Sequence, residues 1–338
     1  MKILITGGAG FIGSHLAESL AAEGRDIRCL VKPGGDISYI SHLGAEIVYG
    51  DLRDIASLKK AVRGADEVYH LGAVSKLDAN VPSVEYEEVN VAGTRNILEA
   101  SRTEGVKRIL YTSSMEAVGL SKDGRPLNEN TEPFPRNIYG RSKLEGEKAV
   151  REYHNRYNTD AVIVRIPMIY GPRNLLHLKR LFKTVKRGYY PVVGWGGALM
   201  EFCYVKNAVH GLRLAMEKGE DGHIYFISDE RSYRFREVIL AIADELGVNL
   251  KLLSMPPPAA TAIGFSFEVL SRFLKFYPFT FEGTGRPAFS RDTVSWMARN
   301  ALFCDTSKAK RDLGYAPKYT MREGIRDTIE WYKTIGVL

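Results

Sequence analysis

The chain has 338 residues, 45% of them hydrophobic, enough for a sizeable core in two compact units or in one large α/β domain with an extension. Its formal charge of +7 is mildly basic, but the basic residues are scattered and no short Lys/Arg run stands out. This argues against nucleic-acid binding and for solubility or attraction to an anionic cofactor. The cysteines, Cys29, Cys203 and Cys304, have no metal-type spacing and read as small apolar residues in reduced surroundings, so no metal site is expected.

Lys2–Thr6 reads as a short apolar strand running into Thr6-Gly7-Gly8-Ala9-Gly10-Phe11-Ile12-Gly13. Gly7 can supply a tight turn, Gly10 lets backbone approach a pyrophosphate, and Gly13 lets the next helix lie against the strand. That helix opens with free N–H groups and a positive dipole end. Ile12, Leu16 and Leu20 put one of its faces on a sheet. A glycine turn can be ligand-free, but between a strand and a helix it is the context of a dinucleotide socket. A strand starting at residue 2 leaves no room for a signal peptide, and no stretch has transmembrane length. A cytoplasmic protein without an integral membrane segment is expected.

Further strands are expected at Ile27–Val31, Glu46–Tyr49, Glu67–His70, Arg108–Thr112 and Ala161–Arg165, with helices at Ile55–Val62, Val84–Thr103 and Ile138–Tyr157. The alternation predicts an α/β fold: a doubly wound parallel sheet of Rossmann type over residues 1–171, binding NAD(P) beyond the carboxyl ends of its strands. After Gly171-Pro172 the pattern loosens. A helix is expected at Leu175–Lys186, a turn-rich segment at Gly188–Gly197, a strand at Phe202–Val205 and a helix at Ala208–Met216. Pro256-Pro257-Pro258 breaks the chain before an apolar, aromatic stretch over 259–281, and Met321–Thr334 closes it as a helix. Residues 172–338 are read as mainly a smaller mixed α/β substrate-binding lobe, with some segments returning to the first domain.

Tyr139-Gly140-Arg141-Ser142-Lys143 lies in a helical context, where i, i+4 spacing puts Tyr139 and Lys143 on one face. An ammonium beside a phenol favours the phenolate, and a tyrosine tuned this way can exchange a proton with an alcohol or ketone. Alone, the pair is usually a solvated helix face. Here the strand Arg108–Thr112 ends in Ser113-Ser114 on the ligand edge, where a hydroxyl can donate to a substrate oxygen.

Glycine turn, strand-end serine and Tyr/Lys pair, in that order, resemble the extended short-chain dehydrogenase/reductase family, also called the NAD-dependent epimerase/dehydratase superfamily. The resemblance runs from Thr6–Gly13 to Leu313-Gly314-Tyr315 and Glu323–Tyr332. It implies Tyr139 as general acid/base, Lys143 as its partner and a holder of the nicotinamide ribose, and Ser114 as the group orienting the substrate oxygen. It places Gly7, Gly10, Phe11, Ile12 and Gly13 at the cofactor, with Leu71, Gly72 and Ala73 along ribose and pyrophosphate. Thr112 is placed among the cofactor-binding residues, and Pro167 where the chain passes the nicotinamide. Asp51, next to Leu52, would hold the adenine, or else cap a helix. Asn90 would support the active-site backbone, or be a plain helix asparagine. A homodimer through the helices Val84–Thr103 and Ile138–Tyr157 is implied as well.

NAD enzymes usually place an acid at the end of the second strand. Here Val31-Lys32 stands there, which leans to NADP(H), although Lys32 can equally be a solvated lysine and Asp36 is near. Two substrate branches compete. Nucleotide-sugar epimerases and dehydratases need diphosphate clamps, yet Met168 and Met200 stand where that branch has an Asn and an Arg, and methionine cannot replace a bidentate arginine. Arg291 and Arg299 are candidates for a further clamp. Tyr111–Gly119 and Tyr204–Ala208 look instead like segments of the 3β-hydroxysteroid dehydrogenase and dihydroflavonol reductase branch. The expected activity is interconversion of a secondary alcohol and a ketone on an apolar or ring-bearing small molecule, with transient-oxidation epimerisation as the alternative. Phe265, Phe267, Leu270, Phe273, Leu274, Phe276, Tyr277, Phe279 and Phe281 could wall a substrate pocket, fill the core of the second lobe, or touch a membrane surface.

Overall fold

A computed structural model describes residues 1–75, 81–175, 178–194, 196–274, 294 and 302–338. In the first half, strands β1 (Lys2–Thr6), β2 (Asp26–Val31), β3 (Glu46–Tyr49), β4 (Glu67–His70), β5 (Arg108–Ser114) and β6 (Ala161–Ile166) alternate with helices. These are α1 (Phe11–Ala21), α2 (Ile55–Val62), α3 (Ser83–Glu85), α4 (Gly93–Glu104) and α5 (Ile138–Tyr157). The expected strands and helices are present, most within a residue or two of the expected bounds. Ile3, Leu4 and Ile5 of β1 are fully buried, as a central parallel strand covered on both faces requires.

The second half supplies β7 (Met168–Tyr170), α6 (Lys179–Lys186), β8 (Tyr189–Val193), β9 (Leu199–Met200), β10 (Phe202–Tyr204), α7 (Val205–Lys218) and β11 (Ile224–Phe226). Then come β12 (Tyr233–Arg234), α8 (Phe235–Leu246), β13 (Lys251–Met255), α9 (Pro257–Leu274), α10 (Ser307–Leu313) and α11 (Met321–Thr334). The main sheet has the order β11-β6-β5-β4-β1-β2-β3, all pairs parallel. Strand order reverses between β1 and β4, so the ligand crevice opens there, beyond the strands' carboxyl ends. One face of the sheet packs with Leu16 and Leu20 of α1 and Leu212 of α7. The other packs with Leu58, Ile97 and Val150 of α2, α4 and α5.

Pro167 separates β6 from β7 and sends the chain out of the main sheet. There β7–β10, β9–β12 and β8–β13 form two-stranded pairs around an aromatic core that includes Tyr170, Phe182, Phe202, Tyr204 and Tyr332. The chain returns with α7, which packs on α1, and with β11, which joins β6 at the sheet edge.

Four expectations are corrected. Gly188–Gly197 is not simply turns: Tyr189–Val193 is a strand, because the distant Lys251–Met255 pairs with it. The helix expected from Leu175 begins at Lys179. Val205 opens α7 instead of closing a strand. The single helix over Val84–Thr103 is α3, a wide π-type turn at Tyr86–Ala92, and α4. Of the apolar stretch over 259–281, Phe276, Tyr277, Phe279 and Phe281 lie outside the described residues, as do Arg291 and Arg299; Leu270, Phe273 and Leu274 lie in α9.

Candidate active site

The glycine turn has the geometry of a cradle. Gly7 adopts φ +68°, which a residue with a Cβ rarely takes, and a Cβ there would sit 3.0 Å from the Gly72 backbone. A Cβ at Gly13 would run into the Gly7 carbonyl oxygen, and one at Gly10 would lie 3.1 Å from it. Gly10 opens α1 without a side-chain cap, and no acid sits in the first turn at Phe11 and Ile12. That helix end suits an anion, so these residues fit a dinucleotide pyrophosphate. Across the crevice, the Gly72 N–H donates to Thr6 Oγ1 at 3.0 Å, holding Leu71-Gly72-Ala73 against the turn. Leu52 packs 3.1 Å from where a Gly72 Cβ would be.

At the adenine end, Lys32 is exposed after β2. Asp51 does not cap α2; Asp54 does, accepting from the Ala56 N–H. Arg53 instead clamps both Asp51 oxygens at 3.0 and 2.7 Å and holds that carboxyl down at about 2. Asp36 accepts from the Ser38 N–H.

Helix α5 carries the Tyr139 and Lys143 pair singled out in the sequence. Asn137 caps it by accepting from the Gly140 N–H at 2.8 Å, and its amide donates to Glu116 at 2.6 Å. Two glycines let the helix sit down on β5 and the segment after it: Gly140 faces the Glu116 carbonyl, and Gly146 faces the Tyr111 hydroxyl. Asn158, at φ +53°, ends it. Lys143 is 4% exposed. Its ammonium donates to the Thr112 carbonyl at 2.9 Å and lies 5.1 Å from the centre of the Tyr111 ring. Burial pulls its pKa down to about 8, opposed by the Glu147 charge. Tyr139, one turn earlier, is half-buried. Burial, then the charges of Glu147 and Tyr139, push the Tyr111 phenol up. Ser114 ends β5, its Oγ accepting from the Glu116 N–H at 3.2 Å. Ser114, Lys143, Thr112 and Tyr139 are thus gathered at the carboxyl edge of β5, and Pro167 follows the neighbouring β6.

Around Asn90, which the resemblance had placed here, stand supporting residues that went unread in the sequence: Ser142, Ser113, Glu147, Arg165, His70 and Thr94. Asn90, in the π-type turn, accepts from the Val74 N–H at 2.7 Å and donates to the Val74 carbonyl and to Ser142 Oγ. Ser142 passes the contact on to the Tyr139 carbonyl at 2.8 Å. Ser113 donates to Glu147 at 2.5 Å, and Arg165 on β6 forks onto both Glu147 oxygens at 2.9 and 2.7 Å. This ion pair is 1–2% exposed. The available signal was spacing: Glu147 continues the Tyr139, Lys143 stripe by one more turn. Beneath the crevice, Thr6, His70, Thr94 and the Asn90 carbonyl form a buried chain of hydrogen bonds. Burial holds His70 neutral, with a pKa near 3.

Met200 is 1% exposed in the core of the second lobe and Met168 packs beside it, so neither offers a charge. Glu201 turns away and accepts from Ser232 at 2.6 Å. A separate cleft of about 190 Å³, lined by Glu201, Asp229, Arg231, Cys304 and Lys310 among others, is not lined by Ser114, Tyr139 or Lys143. Asp229 there is pushed up to about 7 by burial while accepting from Tyr170, Asn207 and the Tyr204 N–H.

Comparison with known proteins adds four findings to this geometry. A family model described as NAD dependent epimerase/dehydratase family matches residues 3–228. The N-acetyl-alpha-D-glucosaminyl-diphospho-ditrans,octacis-undecaprenol 4-epimerase of Escherichia coli O157:H7 is 30% identical over 98% of this chain and 95% of its own. The 4-hydroxy-2-methyl-3-oxo-4-farnesyl-3,4-dihydroquinoline-1-oxide ketoreductase of Stigmatella aurantiaca is 29% identical over 96% and 95%. Among solved structures, a dTDP-glucose 4,6-dehydratase from Streptomyces venezuelae with NAD bound superposes with a TM-score of 0.75 at 25% identity, over 98% of this chain and 97% of that one.

Proposed function

The chain belongs to the NAD dependent epimerase/dehydratase family, the extended short-chain dehydrogenases/reductases, and on that premise we propose that it interconverts a secondary alcohol and a ketone on an apolar or ring-bearing substrate. It is an NAD(P)-dependent enzyme of this family. The observation that carries the proposal is the buried Lys143 ammonium, fixed on Thr112, one helical turn from Tyr139 and beside Ser114. The residues of the glycine turn would hold the pyrophosphate, and Lys143 the nicotinamide ribose. When bound, the nicotinamide supplies or takes the hydride. Ser114 Oγ–H donates to the substrate oxygen and fixes it. In reduction, the Tyr139 hydroxyl gives its proton to that oxygen as it gains charge; in oxidation, the phenolate takes it back. Lys143 keeps its positive charge near the phenol and so favours the phenolate.

Tyr139→Phe is expected to abolish turnover while cofactor affinity, read by NADPH fluorescence titration, changes little; near-normal turnover would sink the mechanism. The apolar substrate class rests on Met168 and Met200, which cannot clamp a diphosphate. The epimerase relative favours a second reading, transient oxidation with retained NAD. Purified protein separates the two: recovered tightly bound NAD supports epimerisation, whereas turnover of added NADPH with a ketone panel supports the reductase. For the cofactor form we propose NADP(H), since Lys32 is exposed after β2, Arg53 lies nearby, and Asp36 is engaged with Ser38. Lys32→Asp is expected to lower kcat/KM for NADPH about tenfold and spare NADH. A homodimer through α4 and α5 is proposed as well, testable by mass in solution.

A further inference from the structure

The second lobe carries two neighbouring features that the redox site does not use. No aspartate or glutamate occurs between Asp160 and Glu201, and within that span α6 and the residue after it bear Lys179, Arg180, Lys183, Lys186 and Arg187. Leu181, Phe182 and Val185 of α6 are buried, which leaves the cations on its outer arc. Lys186 and Arg187 are exposed and Lys183 half-buried, and among the described residues none of the three has an ionic partner. The cations make no contiguous run in the chain; the helical turn gathers them.

The second feature is apolar. In the β8–β13 pair, Tyr189 lies opposite Lys251 and Pro191 opposite Leu253. Tyr190 and Leu252 turn inward onto the second-lobe core. Tyr189, Pro191, Lys251 and Leu253 face outward and are exposed, Leu253 to 45%. Farther along, Val193 and Met255 are covered by Ala260 of α9. Helix α9 leaves Ala262, Ile263 and Phe265 exposed, the last to 49%. No charged residue occurs from Leu252 to Phe267.

Helix α6 touches β8 and leads into it within three residues, so its cations adjoin an exposed, uncharged apolar strip, a pairing that matches negative headgroups over hydrocarbon. We propose that this face of the second lobe docks the protein on an anionic bilayer surface. Lys183, Lys186, Arg187 and Lys251 lie over the headgroups, and Leu253, Ile263 and Phe265 reach the acyl boundary. A second copy of the chain would cover the apolar strip but set like charge against like charge. Among the described residues no helix is long and apolar enough to cross a membrane, so the attachment is to the surface. The face shares no residue with the glycine turn or with Tyr139, so its test stands apart from the redox proposal.

The test is flotation of the full chain with phosphatidylcholine vesicles, with and without phosphatidylglycerol. The protein is expected to float with the anionic vesicles only and to be released by added salt. The triple variant Lys183→Glu, Lys186→Glu, Arg187→Glu is expected to bind about 100-fold more weakly, at about fivefold per cation lost. The double variant Leu253→Ser, Phe265→Ser is expected to lose flotation at the same salt while keeping its circular dichroism spectrum. Absence of flotation at low salt overturns the proposal, as does binding that neither variant diminishes. A wild-type dimer that both variants turn into a monomer also overturns it, by making a second copy the occupant.

Discussion

Lys143 combines high cost with high use. Its ordinary pKa of 10.5 is lowered to about 8 because burial disfavours its charge, a difference corresponding to roughly 3 kcal/mol. Between pH 8 and 10.5 the unfolded chain binds the extra proton, so this lysine makes stability rise with pH across that window and weigh against folding below it. Lys143→Met is therefore expected to inactivate the enzyme and yet stabilise it at pH 7 by about 2 kcal/mol, the orphaned Thr112 carbonyl taking back part of the gain. Urea melts at pH 7 and pH 10 check this: the advantage should shrink at the higher pH. Glu147→Gln would strand Arg165 as a buried, unpaired cation, costing about 3–5 kcal/mol and depressing Lys143 further. A Lys143 titration, followed by NMR of the methylated amine, that stays near 8 in this variant would remove Glu147 from any part in tuning the site. Tyr139, Lys143 and Ser114 could be singled out as candidates because each lies in a short pattern whose spacing carries meaning. Arg165 and His70 could not, because their partners Glu147 and Thr94 are 18 and 24 residues away and meet them only when α5 and α4 pack on the sheet.

Helix α5 delivers those residues, and its seat depends on small side chains as much as on its cap. A Cβ at Gly146 would meet the hydroxyl of Tyr111, a buried ring whose oxygen also approaches the Lys143 carbonyl at 3.4 Å. Gly146→Ala must lift the helix or push the ring, at a cost of about 1–3 kcal/mol. Because Tyr139 and Lys143 ride on the same helix, turnover should fall by up to about 100-fold, the penalty typical of misplacing reacting groups by an ångström. Cofactor affinity, set mainly at the glycine turn, should fall much less; equal losses in both would show that α5 is not the element that moved. The bounds of α5 were readable because Asn137 and Asn158 mark its ends. The π-type turn at Tyr86–Ala92 was not, since apolar periodicity there suits an unbroken helix. The wider turn places Asn90 where it reaches both Val74 and Ser142. Strand β8 was missed for a related reason: its partner follows it by about 60 residues, and a lone Tyr-Tyr-Pro-Val-Val has no local signal of pairing.

For the molecule as a whole, the first half was legible because each strand–helix unit is local, while the second lobe is assembled from segments that meet only in space. The two parts are joined next to the cofactor cradle. Phe11, in the first turn of α1, packs on the aromatic core of the second lobe and lies edge-on to His15 at 6.0 Å. His15, held neutral by burial with a pKa near 4, donates through Nε2 to the Pro172 carbonyl at 3.0 Å. Glu18 pairs with Arg173 at 2.7 Å. An anion that orders the start of α1 therefore also orders the entry to the second lobe. In hydrogen exchange, saturating NADPH is expected to protect Met168–Tyr170 and α6 as well as the glycine turn. Phe11→Ala, with a side chain only partly buried, should cost about 1–2 kcal/mol and leave the turn able to bind cofactor. In that variant the protection should be confined to the Rossmann domain, and the KM for the ketone should rise more than that for NADPH. Equal protection of the second lobe in variant and wild type would mean that the coupling runs elsewhere, through the β6–β7 crossover at Pro167 instead of through α1.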